Sequence, residues 1–324
     1  MKKICMVVPY FGKLPQSFNF FLLSCAYNPD VDWLLLTDDD RPLPYPENVH
    51  CVVMSFDALR ARFQTKFSFP LSLERPYKLR DYRPAYGFLL EEELRGYDFW
   101  GCCDVDMMFG DIGVFITEDM LSRYDQIGRM GHFSLYRNTP EINLLFTAAA
   151  GEEEPYRRIF TTEENCMFDE WGAPGIRDLF RQAGKPTCDL DCIADISPDD
   201  SYFRTAVFQP EKQRWSYGKE NCMGCWDRGR AFLMWKKGSY WKNKEVLYLH
   251  FPKRNMEQEA LTEDACYIIP DKFVSTEYSI ERLYTICRNR QLWNKARWQK
   301  GREGLRERQK LRLQALSGAP NGKE

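Results

Sequence analysis

A chain of 324 residues, 44% hydrophobic and 15% aromatic, has the length for one large α/β domain or two medium ones. Its apolar content suits a sizeable core and excludes an intrinsically disordered chain. A formal net charge of −2 gives no electrostatic case for a nucleic-acid partner. The charge is unevenly placed: residues 288–324 hold eleven Lys/Arg against three Glu, a local +8, which leaves −10 on residues 1–287.

In chain order, "ICMVVPYFG" is a short apolar run stopped by Pro9 and Gly12, the pattern of a buried strand followed by a loop. Residues 17–27 suit a helix, and "DWLLLTDDD" and "VHCVVMSF" read as a second and third strand. Strand, helix, strand predicts a βαβ unit and a parallel sheet. "PYKLRDYRPAYGFLLEEEL" from Pro76 has apolar residues at helical spacing, with Pro76 in a first-turn position and Pro84 demanding a kink or two helices. "YDFWGCCDVD" then reads as a central strand, apolar on both faces. Residues 151–230 are rich in Gly, Pro, Asp and Cys and predict short elements, with "GEEEPY" a solvated loop. "VLYLHFPKR" is one more strand, ending in His250. One domain, 1–287, with a basic helical tail, 288–324, is the expected organisation.

No run of about eighteen apolar residues is present to span a bilayer, and the five-residue run after Lys2 and Lys3 is too short for a signal-peptide core. A cytoplasmic location is the expectation, with reduced cysteines. Cys222 and Cys225 form a C-x-x-C without a second pair at zinc-finger spacing, so small buried hydrophobes are the expected use of most cysteines.

The chemistry concentrates at strand ends, where open α/β sheets collect ligands. Asp104 and Asp106 end the fourth strand, Asp38 and Asp39 the second, and Tyr10 the first. Two carboxylates one residue apart can serve one hard cation, Mg²⁺ or Mn²⁺, which in turn holds substrate phosphates. The bland reading is a solvated pair of acids. His250 and, three residues on, Lys253 would add a third ligand and a cation for a diphosphate, although a lone strand-end histidine is more often a core or loop residue. A haloacid-dehalogenase-type site would want Thr or Val where Met108 stands, and a nucleotidyltransferase a Gly-rich basic loop that "PYFGKLPQ" does not supply.

"RPYKLRDYRPAYG", "YDFWGCCDVDMMFGDI", "GHFSLYRNT", "FDEWG" and "LYLHFPKR" together resemble a bacterial family found among capsule and exopolysaccharide genes, similar to GT-A-fold glycosyltransferases. The resemblance covers residues 1 to about 285. It implies a GT-A-like (Rossmann-like), mostly parallel central sheet flanked by helices, and transfer from a nucleotide sugar, a UDP-sugar being favoured. The implied metal ligands are Asp104, Asp106 and His250, for Mn²⁺ or Mg²⁺, with Lys253 against the donor diphosphate; the late histidine further implies retention of anomeric configuration. Pro9, Tyr10 and Asp38 match the place where such enzymes hold the base and ribose, although Tyr10 could equally be a loop aromatic packed on the sheet. Lys78, Asp81 and Arg83 are candidates for donor contacts or for structural salt bridges. Asp169 and Glu170 are the candidate catalytic carboxylates, or two acids of a turn. Trp226 lines the acceptor pocket or packs in the core. The implied acceptor is a glycan or a lipid-linked glycan, and residues 288–316, with Trp293 and Trp298, offer a peripheral contact to an anionic membrane surface. The alternative is a protein that keeps the fold as a pathway scaffold without catalysis.

Overall fold

The structure, a computed structural model, describes residues 2–151, 154–170, 172, 174–209, 214–259, 264–292 and 294. It is a mixed α/β fold with three sheets. The strands are β1 (Ile4–Tyr10), β2 (Val31–Thr37), β3 (Val49–Val53), β4 (Phe99–Cys103), β5 (Met107–Phe109), β6 (Gln126–Met130), β7 (Phe133–Arg137), β8 (Thr187–Cys188), β9 (Ile193–Asp195), β10 (Arg204–Gln209), β11 (Arg214–Tyr217), β12 (Met223–Asp227), β13 (Arg230–Lys237), β14 (Tyr240–Val246), β15 (Tyr248–His250), β16 (Glu257–Gln258), β17 (Ala265–Ile269) and β18 (Lys272–Ser275). The first sheet runs β3-β2-β1-β4-β7-β6-β8; β3, β2, β1 and β4 are parallel, and β7 is antiparallel to both its neighbours. A five-stranded sheet, β11-β10-β9-β15-β5, joins β5 to strands of the second half of the chain, and a six-stranded one, β14-β13-β12-β17-β18-β16, is built from the second half alone.

The near-continuous apolar runs of β1, β2 and β4 are explained by cover on both faces of the first sheet. Ile4, Met6 and Val8 of β1 and Trp33 and Leu35 of β2 pack with Phe18, Phe21 and Cys25 of helix Phe18–Ala26. Cys5, Val7, Leu34 and Leu36 point the other way, onto Leu59, Phe63, Tyr82, Tyr86 and Leu89. The third sheet closes a separate core, in which Leu233, Leu249 and Trp226 meet Phe20 and Met108. Trp226 is fully buried and donates its indole N–H to the Phe109 carbonyl at 2.6 Å, so it packs the core.

Two departures from the sequence reading, and one expected break, have local causes. The third strand stops at Val53 because Ser55 caps a helix, Phe56–Gln64, its hydroxyl accepting from the Ala58 N–H at 3.1 Å. As Pro84 demands, the segment from Pro76 to Leu89 is broken into short 3₁₀ and α pieces, since proline lacks the N–H and crowds the preceding turn. The last apolar run is divided between β14, which ends at Val246, and β15. All twelve cysteines are free thiols. Among the described residues no helix is long and apolar enough to cross a membrane. The tail is helical through residues 288–292 and at 294; the rest of it, with Trp293 and Trp298, lies outside the described residues.

Candidate metal centre

The D-x-D segment sits where the chain passes from one sheet to another. β4 ends at Cys103, Asp104–Asp106 crosses over, and β5 joins the second sheet at Met107. There β5 pairs antiparallel with β15, setting His250 opposite Met107, one residue from Asp106. On its other side β15 pairs in parallel with β9, setting His250 opposite Asp195. The crossover is pinned at both ends: the Asp104 N–H donates to the His132 carbonyl at 3.3 Å and the Phe251 N–H to the Asp106 carbonyl at 2.9 Å. Two strands distant in sequence thereby bring a histidine to two carboxylates.

Asp104, Asp106 and His250 each offer a ligand atom within 4.8 Å of the others, a grouping that could hold a metal ion. His250 is buried, and its Nδ1 lies 2.9 Å from Asp195 Oδ1. Its Nε2 faces the cluster, 3.5 Å from Asp106 Oδ1 and 3.9 Å from Asp104 Oδ2, and has no hydrogen-bond partner. A histidine whose outer nitrogen is held by a carboxylate, with the inner nitrogen unsatisfied toward two acids, has the donor arrangement of a metal ligand. Without a cation the same surroundings favour a proton: despite burial, Asp106 and Asp195 raise His250 to about 10. His132 stacks on the His250 ring at 4.0 Å, and burial lowers it to about 3, so it is a neutral imidazole.

A second layer lies behind Asp104. The Arg83 guanidinium, at the break before Pro84, donates to Asp104 Oδ1 and to the Gly131 carbonyl, and reaches Asp169 Oδ2 at 3.1 Å. Burial opposes ionisation of Asp104, yet Arg83 and His250 hold it well below the ordinary carboxylate range. Asp169 goes the other way: burial raises it to about 7 against the pull of Arg83, and its Oδ1 has no partner. Glu170 accepts from the Gly131 N–H at 2.8 Å and lies 3.7 Å from Arg80. Gly131 is required by this approach, for a Cβ there would stand 2.3 Å from Asp169 Oδ2. With His250 neutral, Asp104, Asp106 and Asp195 leave two negative charges after Arg83 is counted, the amount a divalent cation cancels.

The other candidates fall in different places. Pro9 and Tyr10 are half-buried at the end of β1, and burial together with nearby Asp106 and Asp39 raises the Tyr10 phenol. Asp38 is spent on the loop, accepting from the Gly12 N–H at 2.6 Å, while Asp39 accepts from the Leu14 N–H and pairs with Arg41. Of the two readings for Lys78, a donor contact or a structural salt bridge, the structure shows the second. Its ammonium is buried, 2.8 Å from Asp81 and bonded to the Glu164 carbonyl, and Asp81 accepts from the N–H groups of Cys166 and Phe168. This pair is structural and anchors the segment that carries Asp169. Lys253 is exposed, its backbone N–H donating to Asp106 Oδ2 at 3.2 Å from a left-handed φ of 56°, and its ammonium has no partner among the described residues.

Asp195 and His132 were not among the residues the sequence singled out. Asp195 carries the same signal as Asp104, an acid closing a short apolar strand, but in a Gly- and Asp-rich stretch that hides it. His132 gives no such signal; only the stacking on His250 marks it.

None of the curated proteins compared with the chain matches it. A family model does, over residues 6–277, a span that includes most of β1, the D-x-D crossover, Asp169, Asp195 and His250. The chain belongs to the family of unknown function DUF6625.

Proposed function

We propose that this protein is a metal-dependent glycosyltransferase of GT-A-like fold. It moves a sugar from a nucleotide diphosphate, a UDP-sugar being favoured, to a glycan or lipid-linked acceptor of surface polysaccharide synthesis, at the cytoplasmic side. The observation that carries the reading is the meeting of Asp104, Asp106 and the unsatisfied Nε2 of His250 at the carboxyl end of a central parallel strand, where α/β sheets bind ligands. Mn²⁺ or Mg²⁺ held there would neutralise charge on the leaving diphosphate. Asp195 fixes the imidazole with Nε2 toward the ion. Lys253, exposed and unpaired beside Asp106, is available to a phosphate oxygen. Tyr10 and Pro9 form the wall for the base. Asp169 and Glu170 stand behind Arg83 on the acceptor side, with Asp169 raised to about 7 and so suited to act as an acid or base. The late histidine supports retention of configuration. The basic tail suits an enzyme that works against an anionic surface.

Titration calorimetry with Mn²⁺, and then with UDP- and GDP-sugars in its presence, tests this. Binding and slow donor hydrolysis are expected for the native chain. Asp106→Ala, whose side chain supports no strand, should lose both by more than about 100-fold, as losing a ligand outweighs the 10–100-fold of an outer-shell loss. A native chain silent to manganese and to every sugar nucleotide overturns the proposal.

A further inference from the structure

Beside Glu170 lies a cavity of about 180 Å³ that none of the metal-centre residues enters. Its walls come from four elements: Arg129 and Met130 of β6, the turn at Glu170 and Gly172, Arg177 and Asp178 at the start of helix Ile176–Gln182, and Phe208 and Trp215 of the β10–β11 hairpin. The volume is below the roughly 300–1,000 Å³ of sites for drug-sized ligands, so it fits a single ring.

The wall carries two guanidinium groups and two carboxylates, and the two kinds of charge are engaged differently. Arg129 Nε and Arg177 Nη2 both donate to the same oxygen of Asp189, at 3.0 and 2.5 Å. Arg177 is buried, donates also to Gln126 Oε1 at 3.0 Å, and is lowered by burial to about 10. The two acids of the lining are already engaged: Asp178 holds the Gly175 N–H and Arg181, and Glu170 holds the Gly131 N–H near Arg80. The Arg129 guanidinium carbon sits over the Phe208 ring, 3.6 Å from its centroid, and its two terminal nitrogens have no hydrogen bond among the described residues. Trp215 stands edge-on to Phe208 at 5.4 Å and is half-buried. Two guanidinium groups sharing one carboxylate cost desolvation unless a further anion joins them. A guanidinium held against an aromatic ring is restricted in its rotamers and so partly pre-organised for a carboxylate or phosphate.

We infer that this cavity binds an anionic sugar unit of the acceptor, its carboxylate or phosphate on the terminal nitrogens of Arg129 and its ring on Trp215. The inference rests on the transferase reading only for the word acceptor; the binding itself requires neither metal nor nucleotide. Glu170 lines the cavity and meets the Gly131 backbone beside Asp169, which places a bound sugar on the Asp169 side of the Arg83 layer.

Ligand-observed NMR and calorimetry on the full chain, in chelator and without nucleotide, test it with three probes: a glucuronosyl disaccharide, its glucosyl counterpart and a glucosyl disaccharide phosphate. At least one acidic probe should bind ten-fold or more tighter than the neutral one, and which one does so distinguishes carboxylate from phosphate. Arg129→Gln should abolish that preference while leaving the neutral probe unchanged, Arg129→Lys should keep part of it, and Trp215→Ala should weaken all three. Thermal melting establishes that each variant is folded, and Arg129→Lys carries the test if Arg129→Gln is not. Equal affinity for charged and neutral probes, or an undiminished preference in a folded Arg129→Gln chain, overturns the inference. Selective binding in a protein that ignores manganese and sugar nucleotides would keep the inference and sink the transferase proposal.

Discussion

Asp195 acts on the candidate centre without being one of its ligands. Its carboxylate fixes which nitrogen of His250 faces Asp104 and Asp106 and, together with Asp106, raises the imidazole to about 10. Two consequences are measurable by calorimetry with Mn²⁺. Asp195→Asn should weaken binding by about 10–100-fold, the usual cost of losing an outer-shell partner, with the fold retained. Below pH 10 a cation must displace the proton on His250, so affinity should rise about tenfold per pH unit between pH 6 and 8 as proton competition falls. A pH-independent affinity would mean that His250 is not a ligand.

At the scale of elements, the broken helical segment 76–89 has two jobs that its single Pro84 separates. Before the break, Lys78 and Asp81 form a buried ion pair, each about 1% exposed, that holds residues 164–168. At the break, Arg83 turns toward Asp104 and Asp169. Lys78→Met removes one partner of a dry pair and leaves a buried carboxylate, which costs about 3–5 kcal/mol. Chemical denaturation should show this loss. Because the held segment carries Asp169, acceptor-side function should fall further than manganese affinity. A stability change under about 1 kcal/mol would show the pair to be solvated instead.

Across the whole molecule, stability and charge offer two further tests. Asp169 is raised to about 7 in the folded chain, from 3.8. A carboxyl with a raised folded value adds stability that is complete below pH 4 and is lost as pH rises through 7, because the unfolded chain releases its proton first. Urea denaturation should therefore find Asp169→Asn gaining on the native chain from pH 5 to pH 8; a constant difference would place Asp169 in a wetter setting. The +8 on residues 288–324 should bring the chain down with vesicles containing anionic lipid at low salt. Raising the salt should release it as the charges are screened. A chain ending at residue 294 should lose this binding and keep the metal affinity. Equal sedimentation with neutral vesicles would remove the electrostatic case.

The first half of the fold was legible because each of its signals is local. Continuous apolar runs with loop residues between them are what a strand covered on both faces requires, and "ICMVVPY", "DWLLLT" and "DFWGCC" could be little else. The strand-end positions of Asp104, Asp106 and His250 followed from the same runs. The Lys78–Asp81 spacing likewise put both on one helical face, though whether they met each other or a ligand was a matter of burial. Other features depended on pairing between distant strands, which no periodicity encodes. The antiparallel register of β5 with β15 brings His250 to Asp106, and the parallel register of β15 with β9 adds Asp195. The six-stranded sheet of the second half was missed because its buried strands, β12 and β17, are only five residues long, while β13 and β14 are half-exposed and alternate irregularly. The residues and their chemical types were written in the chain; which of them share a site was decided by long-range hydrogen-bond register, since only closing that register brings side chains about 50 to 150 positions apart within a few ångströms.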